Sequence, residues 1–214
     1  DGVVKTNAVI ISTGATANWL GLDNEQRLAT SGGGVSACAV CDGALPAFRD
    51  QPLVVVGGGD TVIEEAMYLS KFGSKVYVVH RRDELRASKA MQQRAFDNDK
   101  IEFIWDSEVV DILGDDHVTG VKLHNKKTGQ DSEMACRGVF IAIGHTPATQ
   151  FLEGSGIDLD DAGYVQLADG FRSLTNIDGV FAAGDVADSI YRQAVTAAGM
   201  GCRGPSWSLV CRKA

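Results

Sequence analysis

Leu53-Val54-Val55-Val56-Gly57-Gly58-Gly59-Asp60-Thr61-Val62 begins as four apolar residues and turns through three glycines into a helical pattern. A short apolar run closed by glycine reads as a hydrophobic strand feeding a turn. Beyond it, Ile63, Ala66, Met67 and Ser70 recur at i, i+3, i+4 and i+7, with Val62 and Leu69 alongside, which predicts a helix over 61–72. Lys75-Val76-Tyr77-Val78-Val79 then supplies a second strand. Strand, helix and strand in this order form a βαβ unit of a parallel sheet. Gly57 permits the tight turn, Gly58 continues it, and Gly59 lets the backbone approach a pyrophosphate. Asp60 and Thr61 open the helix whose first amides would face that anion. Val62 departs from the dinucleotide pattern, which has Gly or Ala there for close strand-to-helix packing. The competing reading is a plain glycine turn, against which the flanking strand and helix weigh.

A unit that binds NAD places Asp or Glu about 20 residues after the glycines, on the ribose hydroxyls. Here the second strand ends in His80-Arg81-Arg82. No carboxylate repels a phosphate, and Arg81, Arg82 and Arg86 can clamp a 2′-phosphate in bidentate fashion, so NADPH is favoured over NADH. The alternative is a solvated basic patch. His80 joins the cofactor-binding set as a strand-end packing residue. Ile143 and Gly144 join it at the end of the closing strand 139–144.

Ahead of the glycine turn stands Cys38-Ala39-Val40-Cys41-Asp42. Two thiols at this spacing can cycle between dithiol and disulfide, the first gaining thiolate character at a helix start and the second attacking back. Half of a zinc site is the alternative, but no second C-x-x-C is present. Asp42 reads either as a helix-start carboxylate or as the acid that gives a proton to a leaving thiolate, and its adjacency favours the acid. Cys136, Cys202 and Cys211 show no regular spacing, so a secreted disulfide framework is not expected.

The segment 36–43 (SACAVCDG), His80-Arg81-Arg82 and 179–186 (GVFAAGDV) resemble the low-molecular-weight thioredoxin reductases over most of the chain. The resemblance implies an α/β fold: a Rossmann-like, three-layer NADPH domain with a parallel sheet and a β-meander, inserted in an incomplete second Rossmann-like domain for FAD. The implied division is 1–37 and 148–214 for FAD segments and 38–147 for the NADPH domain. It further implies that Cys38 exchanges with thioredoxin, Cys41 faces the flavin and Asp42 is the general acid, while Asp185, Arg192, Gln193, Ala194, Thr13 and Gly14 contact FAD. The domains would swing about linkers near 31–43 and 145–175, and the intact enzyme would be a homodimer. Nothing upstream of Asn7 matches a first dinucleotide fingerprint, so an NADPH-binding piece without flavin or catalysis is the other reading. Glu64 and Glu65, in the first turns of the nucleotide helix, read as solvated charge, although the family has a carboxylate near the nicotinamide.

The totals set bounds. A chain of 214 residues with 44% hydrophobic residues allows one or two domains with a sizeable core, and the net charge of −8 disfavours nucleic acid and anionic membrane as partners. No run of eighteen apolar residues and no targeting segment is seen, and the cysteine usage suits a reducing compartment, cytoplasmic or organellar. Further elements are expected as a strand at 8–11, a linker at 21–36 with a flexible glycine joint at 31–34, and a helix over 83–97. Strands are expected at 101–105, 118–124 and 131–135 around a turn at 125–130, and again at 163–165 and 179–185. A helix from 192 is expected to break at Gly199, Gly201, Gly204 and Pro205, where the family runs on with alanines. A frameshift, alternative exon or truncation after Cys202 is the expected cause. His117, His124 and His145 read as isolated solvated or core residues.

Overall fold

The structure, a computed structural model, describes residues 2–211. Chain contacts divide it into two compact units, one formed by residues 18–144 and the other by the segments on either side.

The inner unit is built on a five-stranded parallel sheet. Its strands, with the elements between them in chain order, are numbered with β1 (Val9–Ile11), β2 (Ala15–Ala17) and α1 (Asp23–Thr30) ahead of them. Then come β3 (Val35–Ser36), α2 (Ala39–Asp42), β4 (Pro52–Val56), α3 (Asp60–Leu69), β5 (Lys75–Val79), α4 (Lys89–Phe96) and β6 (Ile101–Ile104). A three-stranded antiparallel meander follows, β7 (Ser107–Leu113), β8 (Gly120–Asn125) and β9 (Asp131–Ala135), and β10 (Gly138–Ile141) returns to the sheet. Sheet order is β3-β10-β4-β5-β6. Alternation along β4 explains the layering. Leu53 and Val55 pack with Val62, Ile63, Ala66 and Leu69 of α3, while Val54 and Val56 pack on the opposite face with Leu28 of α1 and Val109, Ile112 and Val121 of the meander. The expected α/β, three-layer Rossmann-like arrangement is what forms, because the apolar run is buried on both faces.

The outer unit holds a two-stranded parallel pair, β1 with β12 (Val180–Ala182), over a cluster of Ile11, Leu152, Val165, Ala182 and Val186. It also holds the antiparallel pair β2 with β11 (His145–Pro147), and the helix α5 (Ala194–Cys211). Among the described residues no helix is long and apolar enough to cross a membrane.

Several expectations are corrected. The units part at 17/18 and 144/145 instead of 37/38 and 147/148. The presumed linker at 21–36 contains α1, whose Leu28 is fully buried, and β3, which pairs with β10. Polar composition concealed the helix, since Glu25 is itself buried and accepts the Leu20 and Gly21 N–H groups at 2.8 Å each. The helix over 83–97 shortens to α4, because 83–88 is a loop crossing the glycine turn. β7 was unforeseen, and 163–165 contributes one bridge, Leu159 to Val165, instead of a strand. Helix α5 begins two residues after Arg192, which has a φ of 48°, and its backbone runs through Gly199, Gly201, Gly204 and Pro205 to Cys211. Glycine lowers helix propensity by about 1 kcal/mol without forbidding helical dihedrals; nothing in the structure explains the passage through Pro205.

Candidate nucleotide and disulfide sites

The turn from β4 to α3 shows a use for each glycine. Gly57 has a φ of 143°, and a Cβ there would lie 2.5 Å from the Ala142 oxygen and 2.5 Å from Val62 Cγ2. The valine that departs from the pattern therefore fills room left by Gly57. A Cβ on Gly58 would lie 2.1 Å from His80 Cε1. At Gly59 a Cβ would meet nothing within 4 Å, so this part of the turn is open to a ligand. Asp60 Oδ1 accepts the Ser88 N–H at 2.8 Å, which ties the helix start to the loop before α4, and Thr61 is exposed beside it. A cleft of about 580 Å³ opens above the turn, lined by Gly57, Gly58, His80, Arg81, Arg86 and Ile143 among others. Such a volume suits a bound small molecule or cofactor. Gly144, next along, has a φ of 101° and ends the inner unit.

His80 works from beneath. It is 5% exposed, with Nε2 3.0 Å from the Glu84 oxygen. Burial holds its pKa below the ordinary value and the nearby Arg82 and Arg86 charges add to this, although the Glu84 and Gly57 carbonyls oppose it. The ring thus links the glycine turn to the loop 81–86, a link doubled by the Arg86 N–H donating to the Gly58 oxygen at 2.8 Å. Arg81, Arg82 and Arg86 are exposed around a second hollow that also includes Asp83 and Asp106. Lys127 offsets those two carboxylates, at 2.8 Å from Asp83 and 3.1 Å from Asp106.

On the same unit, Cys38 and Cys41 are joined as a disulfide. Cys38 caps the single turn α2, and its Sγ accepts the Cys41 N–H at 3.2 Å, a contact that favours charge on that sulfur when the bond opens. Asp42 is half-buried, and its Oδ2 accepts the Ser36 hydroxyl at 2.6 Å. Below the turn lies Glu65, 9% exposed, which accepts the Ala39 N–H and has no partner for Oε2. Burial pushes its pKa up to about 7 against the pull of that N–H, with Glu64 adding repulsion.

In the outer unit, Gly14 and Asp185 line a hollow of about 260 Å³ with Ser12, Gly184 and Ala197. Asp185 Oδ1 is buried without a partner, as a carboxylate awaiting a ligand donor would be. Thr13 instead gives its hydroxyl to the Ala148 oxygen at 2.7 Å. Arg192 and Gln193 precede Ala194 at the start of α5, where Asp188 accepts the Ile190, Tyr191 and Arg192 N–H groups. His145, expected to be isolated, is placed by β11 near both Arg192 and Asp185. Burial first, then Arg192, holds its pKa below the ordinary value, and Asp185 pulls the other way.

A family model described as pyridine nucleotide-disulphide oxidoreductase matches residues 2–201. The chain belongs to that family. The chain is 54% identical over 200 residues to the thioredoxin reductase of Streptomyces coelicolor, covering 94% of the chain and 60% of the relative. It is 53% identical over 206 residues to thioredoxin reductase 1, mitochondrial, of Arabidopsis thaliana, covering 93% of the chain and 54% of the relative. Its fold matches a solved thioredoxin reductase from Giardia duodenalis with a TM-score of 0.89 at 44% identity, covering 97% of the chain and 66% of that structure. The thioredoxin reductase of Streptococcus pyogenes gives 0.86 at 47% identity, covering 96% and 65%. The chain thus spans about 60% of the length of its S. coelicolor relative.

Ser36 against Asp42 was not foreseen, and two readings are overturned: Glu65, expected as solvated charge, is buried under Ala39, and His145, expected to be isolated, lies near Asp185. Ser36 stood inside the quoted SACAVCDG segment, so position alone could have singled it out. Glu65 was misread on its charge, although it stands three residues after Val62 and four before Leu69, both on the buried face of the helix. Nothing local marks His145.

Proposed function

We propose that this chain carries the NADPH-binding and disulfide-bearing parts of a thioredoxin-disulfide reductase that moves electrons from NADPH through FAD to Cys38–Cys41 and on to thioredoxin. One observation supports it most: helix α3, which leaves the glycine turn, packs on α2, which carries Cys41 and is capped by Cys38, so a dinucleotide cleft and a redox disulfide share one compact unit. Arg81, Arg82 and Arg86 hold the 2′-phosphate, and the open edge at Gly59 admits the pyrophosphate. FAD, when bound, supplies a two-electron relay between nicotinamide and disulfide. Asp185 and the start of α5, with Thr13 and Gly14, are the chain's residues for it, and the unpartnered Asp185 Oδ1 fits a ribityl hydroxyl.

Once Cys38 and Cys41 are a dithiol, the Cys38 thiolate attacks one sulfur of the thioredoxin disulfide. A mixed disulfide forms and one thioredoxin thiolate leaves, taking its proton from Asp42. Cys41 then gives its proton to the Asp42 carboxylate and, as thiolate, attacks Cys38 Sγ, which restores the disulfide and expels the second thioredoxin thiolate, protonated in its turn by Asp42. Two electrons pass, and thioredoxin leaves as a dithiol. In this reading the partners are thioredoxin and, for the intact enzyme, a second copy of the protein.

The test is NADPH oxidation by the chain with added FAD, with and without oxidised thioredoxin. Consumption that requires both, and yields two thioredoxin thiols per NADPH, is the expected result. Consumption indifferent to thioredoxin would contradict the proposal.

A further inference from the structure

The proton donor of a disulfide must stay beside the sulfurs through both exchange steps, and a carboxylate on a one-turn helix has little to hold it. Asp42 is the last residue of that turn, and it is held from outside. Ser36, 7% exposed, lies on β3 in register with Phe140 of the parallel sheet. Its oxygen is 2.6 Å from Asp42 Oδ2, 3.0 Å from the Cys38 nitrogen and 3.3 Å from the Cys38 oxygen. A serine hydroxyl has one proton and accepts through its lone pairs. The shortest contact takes the proton, so Ser36 donates to Asp42 and accepts from the Cys38 N–H. One buried oxygen therefore fixes the nitrogen of the first cysteine and the carboxyl that follows the second.

We infer that Ser36 is a positioning residue for the disulfide exchange: its hydroxyl pins Asp42 Oδ2 so that Oδ1 delivers the proton to the departing thiolate. The inference rests on the proposed thioredoxin-disulfide chemistry and adds no reactant to it. Cys38 sulfur forms the mixed disulfide, the partner's sulfur–sulfur bond breaks, and the proton passes from Asp42 Oδ1 to the partner's sulfur. Ser36 keeps its own proton throughout. Ser36 touches neither reacting sulfur nor partner, so its removal acts through the groups it holds, Asp42 and the Cys38 N–H, and the Asp42→Asn background separates the two.

The measurement is a single turnover. The chain is reduced with dithiothreitol, freed of it, and mixed with oxidised thioredoxin or with a small aromatic disulfide, following thiol appearance. Ser36→Ala is expected to slow the exchange about tenfold, the effect of one charge-assisted hydrogen bond, with the half-saturating thioredoxin concentration unchanged. Ser36→Thr, which retains a hydroxyl, is expected to recover most of the rate. Asp42→Asn is expected to be slow already, and adding Ser36→Ala to it to cost less than twofold more. A Ser36→Ala rate within twofold of the parent, or the same tenfold loss in the Asp42→Asn background, would overturn the inference, the second by showing a purely structural effect. Should Ser36→Ala fail to fold, the Ser36→Thr rate decides, and a tenfold loss there overturns it. If the parent dithiol reduces the small disulfide but never thioredoxin, the proposed partner falls, while the Ser36 comparison still stands on the small disulfide.

Discussion

Replacing Arg81 and Arg82 together by alanine is expected to weaken NADPH binding on the order of 100-fold while leaving NADH binding within about threefold, as a guanidinium–phosphate contact contributes roughly 1.5–3 kcal/mol. Both guanidiniums are exposed at the end of β5, and Arg86 remains to retain part of the attraction. The loop itself should survive, because its anchors are elsewhere: His80 Nε2 at the Glu84 oxygen, the Arg86 N–H on the Gly58 oxygen, and Lys127 across Asp83 and Asp106. NADH lacks only the 2′-phosphate, so it serves as the internal control. Calorimetric titration of parent and variant with both nucleotides at fixed salt reads the result, since such contacts weaken with ionic strength. An equal loss for both would mean that the arginines hold the fold instead of the phosphate.

Glu65→Gln is expected to stabilise the protein at pH 8 by about 3 kcal/mol and to have little effect at pH 4. Burial raises this carboxyl from an ordinary 4.5 to about 7, so the folded protein keeps its proton where the unfolded chain has lost it. Its contribution to stability is complete below pH 4.5, falls as pH rises towards 7, and remains lost above that. Glutamine mimics the protonated acid, accepting the Ala39 N–H with its oxygen, and has no charge to bury. Urea unfolding from pH 4 to 8 should show two curves that meet at low pH and diverge upward. Parallel curves would place the titrating group elsewhere.

Much of this was legible beforehand. The run 53–56, its glycines and the stripe on α3 are local features, and period and turn chemistry report them directly. The arginines at the end of β5 were found by their distance from the glycines, and the cysteine pair by its spacing. What escaped depends on partners distant in sequence. α1 looked like a linker because its buried polar residue, Glu25, is satisfied by backbone at 20 and 21 instead of by a pattern of apolar residues. The compensation between Gly57 and Val62 needed coordinates, since a motif scores each position separately. Likewise, His80 was read as packing, but its task of joining turn to loop appears only when Gly58 and Glu84 are seen on either side of its ring. His145 feels Asp185 and Arg192, 40 and 47 residues further along the chain, and no local signal could have placed it.

On the proposed reading, one compact unit recognises the phosphorylated nicotinamide nucleotide through the Gly57–Gly59 turn and the arginines beyond β5. Titration of the unmodified chain with NADPH and with NADH, under identical salt and pH, tests it most directly. NADPH is expected to bind at least about 30-fold more tightly than NADH, as a clamped phosphate requires. Equal affinities, or binding of neither, would contradict it.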